Sequence, residues 1–485
     1  MSKICLIIPP SVFLLDERVF ISLGILRVAA VLEQAGHQVE VLDLSGVANY
    51  QEAVKDYVAG SEVTIFGLTA TTAQLPSAIE VAKTIREAKP EARIILGGPH
   101  VTLVNAARKK GIERAKRAFE QLQVYFNQLV AGDGEKAVFQ ALNSPNMALV
   151  DADELRSDLF LINATLSALP LPARHLIDME SYHYQIEGTR ATNLIAQLGC
   201  PFGCGFCGGR MSPSFRKIRM RSIESIIAEL RHLYDVYGLT GFMFFDDELN
   251  VNPQMVPLMQ AIEGLARELG VQFKLRGFIK SELFTEVQAE AMYKAGFRWI
   301  LVGFESGSPR MLKNMQKHAT REDNTRAVEI ARKYGLKVKF LMALGHPGES
   351  PETINETRDW LLEMRPDDFD ATIITTYPGT PYYDNAQEVS PGVWKYEIYG
   401  DALYGLEVDY TQVADYYKGS PDDGYVSYVH TDFLTCKELV VRRDLLEYKI
   451  RTALKIPFNP SLPSQLYEHS MGQLPSKILK RPCAG

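Results

Sequence analysis

Three of the six cysteines in the chain, Cys200, Cys204 and Cys207, stand in the glycine-rich stretch LGCPFGCGFCGG. A structural zinc site needs four protein ligands and is commonly built from two C-x2-C pairs, and no second pair lies nearby in the sequence. Three thiolates can instead hold three irons of a 4Fe–4S cluster and leave the fourth iron open for another ligand. The glycines let the loop wrap around a bulky group. The C-x3-C-x2-C spacing therefore predicts an iron–sulfur site, with a reduced cysteine-rich turn as the alternative.

Composition limits the class of protein. A chain of 485 residues that is 46% hydrophobic can bury more than one core, which suggests two or three domains. The net charge of −7 gives no broad basic face for nucleic acid. The sequence shows no signal peptide and no run of about 18 apolar residues, so we expect no transmembrane segment. Few, scattered cysteines indicate the reducing cytoplasm, which argues against disulfides in the cysteine loop.

Residues 1–150 alternate apolar strands with amphipathic helices. The strands KICLIIPP, QVEVLDL, SEVTIFGLTA and ARIILGGPH predict a parallel, doubly wound, Rossmann-like sheet. Ligands of such sheets bind at the carboxyl ends of the strands, and none of these ends carries the G-x-G-x-x-G dinucleotide fingerprint. Small residues there would let a large ligand lie close to the backbone, although ordinary βα turns have the same composition. The candidate ligand contacts are Thr69, Gly97, Gly98, Gly132, Gly134 and Glu135.

Residues 190–385 predict a partial (β/α)6 barrel, after a proline-stiffened linker at 151–189. Six strands recur, each of the first five followed by a helix, and the chemistry of such barrels belongs at the carboxyl ends of the strands. The cysteine loop follows the first of these strands. Polar or small residues follow the others, which indicates a site assembled from the whole rim, with ordinary rim salt bridges as the alternative. They are Asp246, Asp247, Glu248, Arg276, Glu305, Ser306, Gly345 and Glu349.

Residues 386–485 are expected to form a small, mostly helical C-terminal region that faces the substrate. Its main predicted element is a long amphipathic helix in TDFLTCKELVVRRDLLEYKIRTAL. Eleven of the 22 tyrosines lie between Tyr377 and Tyr428. Tyrosine combines an apolar body with a hydrogen-bonding tip, so this segment either contacts a substrate of mixed character or covers the surface of another domain.

At this point the sequence resembles a known family. The motif CPFGCGFC at the end of the first barrel strand is typical of radical S-adenosylmethionine (radical SAM) enzymes, and the likeness continues through FFDDE, VGFES, LGHPGES and YPGTPYYD. Residues 1–150 resemble the cobalamin-binding domain that precedes the barrel in one large subgroup, with IIPP, LGGPH and GDGE. The D-x-H-x-x-G motif of histidine-ligated cobalamin proteins is absent. The resemblance therefore implies cobalamin bound without an imidazole from His37 or His100, the two histidines of this region.

The resemblance also implies roles for single residues. Cys200, Cys204 and Cys207 would ligate the cluster and so act in catalysis, and Phe206 would lie near the adenine of S-adenosylmethionine. Asp246 or Asp247 would bind the methionyl ammonium. Further contacts to S-adenosylmethionine would come from Arg276 at the carboxylate, Glu305 with the adjacent Ser306 at the ribose, and Gly345 and Glu349 near the adenine. The first-domain strand ends would contact cobalamin.

The implied activity is methylation of an unactivated carbon of a small-molecule or lipid substrate. An electron from an external donor such as flavodoxin or ferredoxin would cleave S-adenosylmethionine to a 5′-deoxyadenosyl radical, and the substrate radical would take a methyl group from methylcobalamin. A second interpretation keeps the architecture without methyl transfer, as a cyclase, rearrangement or C–C coupling enzyme. A third is a non-catalytic iron–sulfur or zinc module, which leaves the acids and glycines at the strand ends unexplained.

Overall fold

The structure is a computed structural model that describes residues 2–14, 16–419 and 424–457. Cys483 and the other residues after 457 lie outside the described residues. No helix of the described part is long and apolar enough to cross a membrane.

The N-terminal sheet has six parallel strands in the order β2-β1-β3-β4-β5-β6. They are β1 Lys3–Ile8, β2 Gln38–Asp43, β3 Ile65–Thr69, β4 Arg93–Gly97, β5 Gln128–Ala131 and β6 Leu149–Asp151. The predicted doubly wound sheet is confirmed, and it gains the short strands β5 and β6. Alternate residues of β1 enter different cores, with Ile4 and Leu6 on one face and Cys5 and Ile7 on the other.

Six helices cover both faces of this sheet, which explains why its strands are apolar on both sides. They are α1 Leu23–Gln34, α2 Tyr50–Gly60, α3 Leu75–Ala88, α4 Pro99–Lys109, α5 Glu113–Tyr125 and α6 Gly134–Asn143. Helix α1 packs with α6, whereas α2 packs with α3 and α4 with α5. The connector that follows contains one α-helix, α7 Asn163–Ala168.

The second sheet confirms the predicted partial barrel. Its order is β15-β14-β13-β12-β11-β8-β7, in which six parallel strands follow one another in chain order and β7 pairs antiparallel at the edge. Two further short strands, β9 and β10, form a separate antiparallel pair beside the cysteine loop. The strands are β7 Gln185–Ile186, β8 Thr189–Leu194, β9 Gln197–Leu198, β10 Arg219–Met220, β11 Gly241–Phe244, β12 Lys274–Phe278, β13 Phe297–Glu305, β14 Lys337–Leu344 and β15 Asp368–Ile373.

The helices of this region follow the strands as predicted. They are α8 Pro213–Arg216, α9 Ile223–Tyr237, α10 Met255–Leu269, α11 Glu286–Ala295, α12 Pro309–Asn314, α13 Arg321–Lys333, α14 Pro351–Met364 and α15 Pro381–Asp384. Left-handed glycines end three of them, at Gly238, Gly270 and Gly296.

The C-terminal region is a correction to the expectation of a mostly helical segment, because it begins with an antiparallel sheet of four strands. Its elements are β16 Gln387–Ser390, β17 Val393–Ile398, β18 Asp401–Leu406, α16 Asp415–Lys418, β19 Val429–Thr431 and α17 Cys436–Leu454. Tyr399 and Gly400 form the two-residue turn between β17 and β18 and both have positive φ, 53° and 82°. Such turns match the twist of the paired strands. Helix α17, which was predicted, packs on β15 and α14.

Candidate functional site

A cavity of about 340 Å³ lies between the carboxyl ends of the N-terminal strands and the first strands of the barrel. Most of its wall is aliphatic, from residues such as Leu6, Ile95 and Val130. The predicted ligand contacts of the first domain all line it: Thr69, Gly97, Gly98, Gly132, Gly134 and Glu135. From the barrel, Gln197, Gly199 and Asp247 complete the wall. One space is therefore open to both halves of the predicted site.

Glycines shape the side of this cavity formed by the first domain. Gly98 has a φ of 97°, and an added Cβ would stand 2.6 Å from Thr69 Oγ1. Gly132 has a φ of 83°, and its Cβ would stand 2.6 Å from the carbonyl carbon of Ala152. A side chain at either position would push neighbouring strand ends apart. The smooth, aliphatic wall and the tight backbone turns fit a large flat cofactor such as cobalamin.

Neither histidine of the first domain reaches this cavity. His100 is buried, and its Nδ1 lies 3.1 Å from Thr72 Oγ1. It lines a second cavity of about 170 Å³ beside Arg114 and Tyr410. Burial lowers the pKa of His100 to about 4. His37 Nδ1 accepts a hydrogen bond from the backbone of Ser2. Among the residues that line the larger cavity there is no imidazole that could bind cobalt.

One buried ion pair and two buried hydrogen bonds join the barrel to the chain that precedes it at the cavity wall, and sequence reasoning missed them. Arg219 of β10 pairs with Asp133 of the first domain and donates to the carbonyl of Ser214 at 2.7 Å. Asp153 accepts hydrogen bonds from Ser212 Oγ at 2.7 Å and Ser214 N at 2.8 Å. No local pattern reveals such pairs, since their partners are far apart in sequence. They anchor the segment after the cysteine loop to the first domain.

The cysteine loop is fixed by backbone contacts on both sides. Cys200 N donates to the carbonyl of Phe215 at 2.9 Å, and Gly205 N donates to the carbonyl of Met315 at 2.9 Å. A Cβ on Gly205 would stand 2.5 Å from the ring of Tyr382, so only glycine fits there without a shift. Cys204 is buried, Cys200 is partly buried and Cys207 is exposed.

The three thiols lie in one short loop, and their charges act on one another. Burial raises the pKa of Cys200 to about 11, with further contributions from Glu248, Asp247 and Cys204. The pKa of Cys207 is also raised, and the charges of Cys204 and Cys200 contribute to the rise. Within the described residues no three His, Cys, Asp or Glu side chains converge on a single metal ion. In a 4Fe–4S cluster each thiolate binds a different iron, so three thiols of one loop suit that group.

The acids after β11 have different surroundings. Asp246 is buried and accepts hydrogen bonds from the backbone of Ala196 and Gln197, and burial raises its pKa to about 7. It thus holds the turn between β8 and β9. Asp247 accepts from Gly199 N at 3.1 Å and lines the large cavity.

Glu248 is the acid to which the sequence assigned no role. Its Oε2 is buried and has no hydrogen-bond partner within the described residues. Burial raises its pKa to about 7, although the charges of Lys317 and Lys280 act in the opposite direction. A buried carboxylate oxygen without a partner is costly, which makes Glu248 a candidate for binding a ligand.

Glu305 forms an ion pair with Lys317 at 3.0 Å beside the cysteine loop. Burial lowers the pKa of Lys317, but Glu305, Cys204 and Glu248 raise it more, so the net shift is upward. Glu305 follows an irregularity in β13 and has a φ of 63°, an uncommon backbone conformation for this residue type that points to a functional constraint. Ser306 instead packs internally, with Oγ 2.9 Å from Thr357 Oγ1.

The loop after β14 contributes an aromatic contact that sequence reasoning missed. The ring of His346 lies 5.2 Å from that of Phe206, and His346 Nδ1 is 3.3 Å from Tyr382 Oη. His346 Nε2 is buried without a hydrogen-bond partner within the described residues. Burial and Lys317 lower the pKa of His346 to about 3, so the ring is neutral. The phrase LGHPGES contained this histidine, but no spacing rule distinguished it.

Glu349 and Gly345 shape the same loop. Glu349 is buried and accepts hydrogen bonds from Gly345 N at 3.3 Å and from Thr353 Oγ1. Burial raises the pKa of Glu349 to about 7. Gly345 has a φ of 88°. These contacts show that both residues hold the loop that carries His346.

Arg276 is the predicted residue that the structure does not bring to this group. Its guanidinium lies 5.4 Å from the ring of Trp299 inside the barrel. Burial raises the pKa of Asp368. The charges of Lys339, Arg451 and Arg276 lower it by more, so the net shift is downward. Arg276 is the third of the five residues of β12 and so lies before the carboxyl end of that strand. Its contact with a methionyl carboxylate stays a prediction.

The comparisons with known proteins agree with this geometry. Residues 194–361 match the model of the Radical SAM superfamily, and residues 17–122 match that of the B12 binding domain. An uncharacterized methyltransferase of Pyrococcus horikoshii, PH0819, is 26% identical over 79% of this chain and 83% of its own length. The anaerobic magnesium-protoporphyrin IX monomethyl ester cyclase of Cereibacter sphaeroides is 23% identical over 72% of this chain and 59% of its own length.

The fold of the whole described chain has a solved counterpart. The structure of the radical S-adenosylmethionine methyltransferase TsrM from Kitasatospora setae, with cobalamin and a [4Fe–4S] cluster bound, matches with a TM-score of 0.64 at 16% identity. The match covers 98% of this chain and 91% of TsrM. At this identity the likeness shows the shared fold.

The fold, the three-thiol loop and the interdomain cavity define a radical enzyme with two stacked cofactor domains. Residues 194–361 form a radical SAM domain and residues 17–122 a B12-binding domain, so the chain combines these two domains in this order. A 4Fe–4S cluster and S-adenosylmethionine are the cofactors of the radical SAM domain, and cobalamin is the cofactor of the N-terminal B12-binding domain.

Proposed function

We propose that the protein is a cobalamin-dependent radical methyltransferase that methylates an unactivated carbon of a small-molecule or lipid substrate. The observation that carries the proposal is the cavity of about 340 Å³ that both domains line. Gly98 and Gly132 line this cavity on the cobalamin side. Asp247 and Gly199 line it on the cluster side, and Gly199 precedes Cys200 in the chain. A substrate carbon between the two cofactors could therefore reach both.

The bound cofactors supply the chemistry: the cluster delivers an electron to S-adenosylmethionine, and cobalamin carries the methyl group. The chain positions them. Cys200, Cys204 and Cys207 hold the cluster, and Phe206 and His346 offer an apolar wall with one free ring nitrogen for an adenine. Glu248 and Lys317 supply opposite charges for the ammonium and the carboxylate of S-adenosylmethionine. Glu305 supplies hydrogen-bond acceptors for its ribose hydroxyls.

The tyrosine-rich segment contributes less to the substrate site than its composition suggested. Tyr377, Tyr383, Tyr410 and Tyr416 pack in the hydrophobic core of the first domain. Tyr382 instead contacts the cysteine loop. These positions favour the interpretation that the segment covers the first domain. Phe215 and Phe245, on the barrel side of the large cavity, support a substrate with apolar surface.

The test is turnover with S-adenosylmethionine labelled at its methyl group, in anaerobically reconstituted protein with reductant and candidate substrates. A methyltransferase gives labelled product together with 5′-deoxyadenosine and S-adenosylhomocysteine. The matched control is the Cys207→Ala variant, which should give none of these products. Formation of 5′-deoxyadenosine without label in any product would overturn methyl transfer.

A second candidate is a cyclase or C–C coupling enzyme of the same architecture. The similarity to the magnesium-protoporphyrin cyclase supports it, over 72% of this chain. The described thiols outside the loop, Cys5 and Cys436, lie on β1 and α17 and form no second cluster site. The methyl-label experiment separates the two candidates, because a cyclase leaves the label in S-adenosylmethionine or methionine.

A further inference from the structure

One buried arginine at the wall of the large cavity lacks a partner. Arg27 of α1 is only 6% exposed and lines the cavity of about 340 Å³. Among the described residues, none forms a hydrogen bond or an ion pair with its guanidinium. The buried guanidiniums of Arg219 and Arg451, in contrast, pair with Asp133 and Glu447. An unpaired buried cation carries a desolvation cost, which a ligand that supplies an acceptor would offset.

Glu135 is a second buried charge on the same wall. It belongs to the first turn of α6, is 7% exposed and lines the same cavity. Burial lowers the pKa of Arg27, and among the neighbouring charges Glu135 counteracts this most. The two side chains form no ion pair, although α1 packs on α6 so closely that an added Cβ on Gly134 would stand 2.9 Å from Val28 Cγ2. Arg27 and Glu135 are here called the split pair, since their opposite charges border one space without joining across it.

The other acid whose charge acts on Arg27 already has two partners. This acid is Glu229 of α9. It is buried and forms ion pairs with Arg174, at 2.7 Å, and with Arg221. Arg27 could reach Glu229 only by displacing a buried arginine, which would leave another cation without a partner. Arg27 is therefore left to a ligand of the cavity.

The split pair is complementary to a primary carboxamide. A guanidinium only donates hydrogen bonds, and an ionised carboxylate only accepts them. A primary carboxamide has an acceptor oxygen and an NH2 donor, so it can bind both members at once. A carboxylate ligand would be attracted by Arg27 but repelled by Glu135. The corrin ring of cobalamin, the cofactor of the B12-binding domain, carries several primary carboxamide side chains.

We propose that Arg27 and Glu135 bind a carboxamide side chain of the corrin ring, and so make the first domain selective for corrinoids whose side chains are amidated. The aliphatic part of the cavity and the turns at Gly98 and Gly132 suit the shape of the ring. The split pair adds a chemical criterion, because only a group with both a donor and an acceptor satisfies it. The proposal concerns corrinoid binding and does not depend on methyl transfer.

The test titrates corrinoid-free protein with three corrinoids and follows binding by the visible spectrum. The probes are cobalamin, cobinamide and cobyrinic acid. Cobinamide has the same amidated ring but lacks the nucleotide and its phosphate, and cobyrinic acid has carboxylates in place of the carboxamides. Arg27→Leu should weaken the binding of cobalamin and cobinamide alike, by about tenfold, the worth of one hydrogen bond to a charged group. Arg117→Leu, an equal charge change at an exposed residue of α5, is the matched control and should leave both affinities unchanged.

Glu135→Gln gives a second readout, because it is nearly isosteric and should change selectivity. Wild type should prefer cobinamide to cobyrinic acid. Removing the negative charge of Glu135 should narrow that preference by about threefold, since a carboxylate is no longer repelled there. Glu120→Gln changes the net charge equally at an exposed residue of α5 and should keep the wild-type preference. A merely structural role of Glu135 would weaken both corrinoids equally.

A loss of affinity in Arg27→Leu for cobalamin but not for cobinamide would mean that Arg27 binds the phosphate of the nucleotide, and would overturn the proposal. So would unchanged affinity for both corrinoids, or an unchanged preference in Glu135→Gln. If Arg27→Leu does not fold, the preference measured in Glu135→Gln decides alone. None of these measurements involves turnover, so a protein that selects amidated corrinoids but transfers no methyl group contradicts the proposed function alone.

Discussion

The two sides of the interdomain cavity differ in how they are built to bind. The first domain presents glycines and aliphatic side chains, and its tight turns at Gly98 and Gly132 leave no room for a Cβ. The barrel presents Gln197, Gly199 and Asp247 to the cavity, and thiols, acids and Lys317 surround the cysteine loop that follows Gly199. Burial raises the pKa of Cys200 and of Glu248. With the function proposed above, one side would select its cofactor mainly by shape and the other by charge and metal ligation. Substitutions on the two sides should separate these modes.

The largest effect is expected on the barrel side. Replacing Cys200, Cys204 and Cys207 together by Ala should abolish both iron content and S-adenosylmethionine cleavage, because each thiolate holds a separate iron. Iron and sulfide analysis after anaerobic reconstitution measures the iron content. Formation of 5′-deoxyadenosine measures the cleavage of S-adenosylmethionine. Cys436→Ser is the matched control and should keep the cluster. A triple variant with a full cluster would refute the ligand assignment.

The first domain should lose its cofactor without a loss of the cluster. Gly98→Ala places a Cβ 2.6 Å from Thr69 Oγ1 and 2.8 Å from Ala70 N. We expect at least a tenfold weaker retention of corrinoid, measured by the visible spectrum of purified protein, at unchanged iron content. Gly111→Ala is the control, since Gly111 has a φ of 81° but no atom within 4 Å of the added Cβ. Equal corrinoid loss in both variants would point to backbone strain and not to the shape of the cavity.

Many of the elements that form the two sides of the cavity could be predicted from the sequence, whereas the long-range contacts between them could not. The strands of both sheets, and the position of Cys200, Cys204 and Cys207 at a strand end, follow from local hydrophobic patterns and short spacings. The ion pair between Arg219 and Asp133 depends on a long-range contact that no local pattern encodes. The hairpin at Tyr399 and Gly400 was missed because the tyrosines around it were interpreted by composition, whereas the alternation of VWKYEI and the glycine turn predict strands.

The site residues divide in the same way. Glu305 and Asp247 stand where the strand ends predicted them. Glu248 and His346 were within the quoted motifs, but their importance depends on buried atoms without partners, which only packing reveals. Arg276 was predicted to follow its strand, but it lies within β12, with its guanidinium 5.4 Å from the ring of Trp299. A sequence fixes which strand a residue occupies more readily than where a long side chain ends.

An intermediate effect concerns the pH dependence of stability on the barrel side. The pKa of buried Glu349 is raised to about 7 from an ordinary value near 4.5, so the folded protein holds a proton that the unfolded chain has lost. The stabilisation is therefore complete below about pH 4.5 and declines as the pH rises to about 7, by up to about 3 kcal/mol. Glu349→Gln should flatten the difference in denaturation midpoint between pH 5 and pH 8. Glu352→Gln, at an exposed carboxyl, should not.

The smallest effect is expected at the aromatic contact beside the cysteine loop. His346→Phe keeps the ring packing against Phe206 but removes Nε2, the buried nitrogen without a partner. If that nitrogen binds the adenine, the apparent affinity for S-adenosylmethionine should fall about tenfold, the worth of one hydrogen bond to a buried group. The change in the electron paramagnetic resonance spectrum of the reduced cluster on adding S-adenosylmethionine measures that affinity. Tyr382→Phe is the matched variant, because it removes only the hydroxyl next to Nδ1 and should change the affinity less. Unaltered affinity in His346→Phe would show that the histidine only fills space, and would leave adenine recognition on this side to shape, as on the cobalamin side.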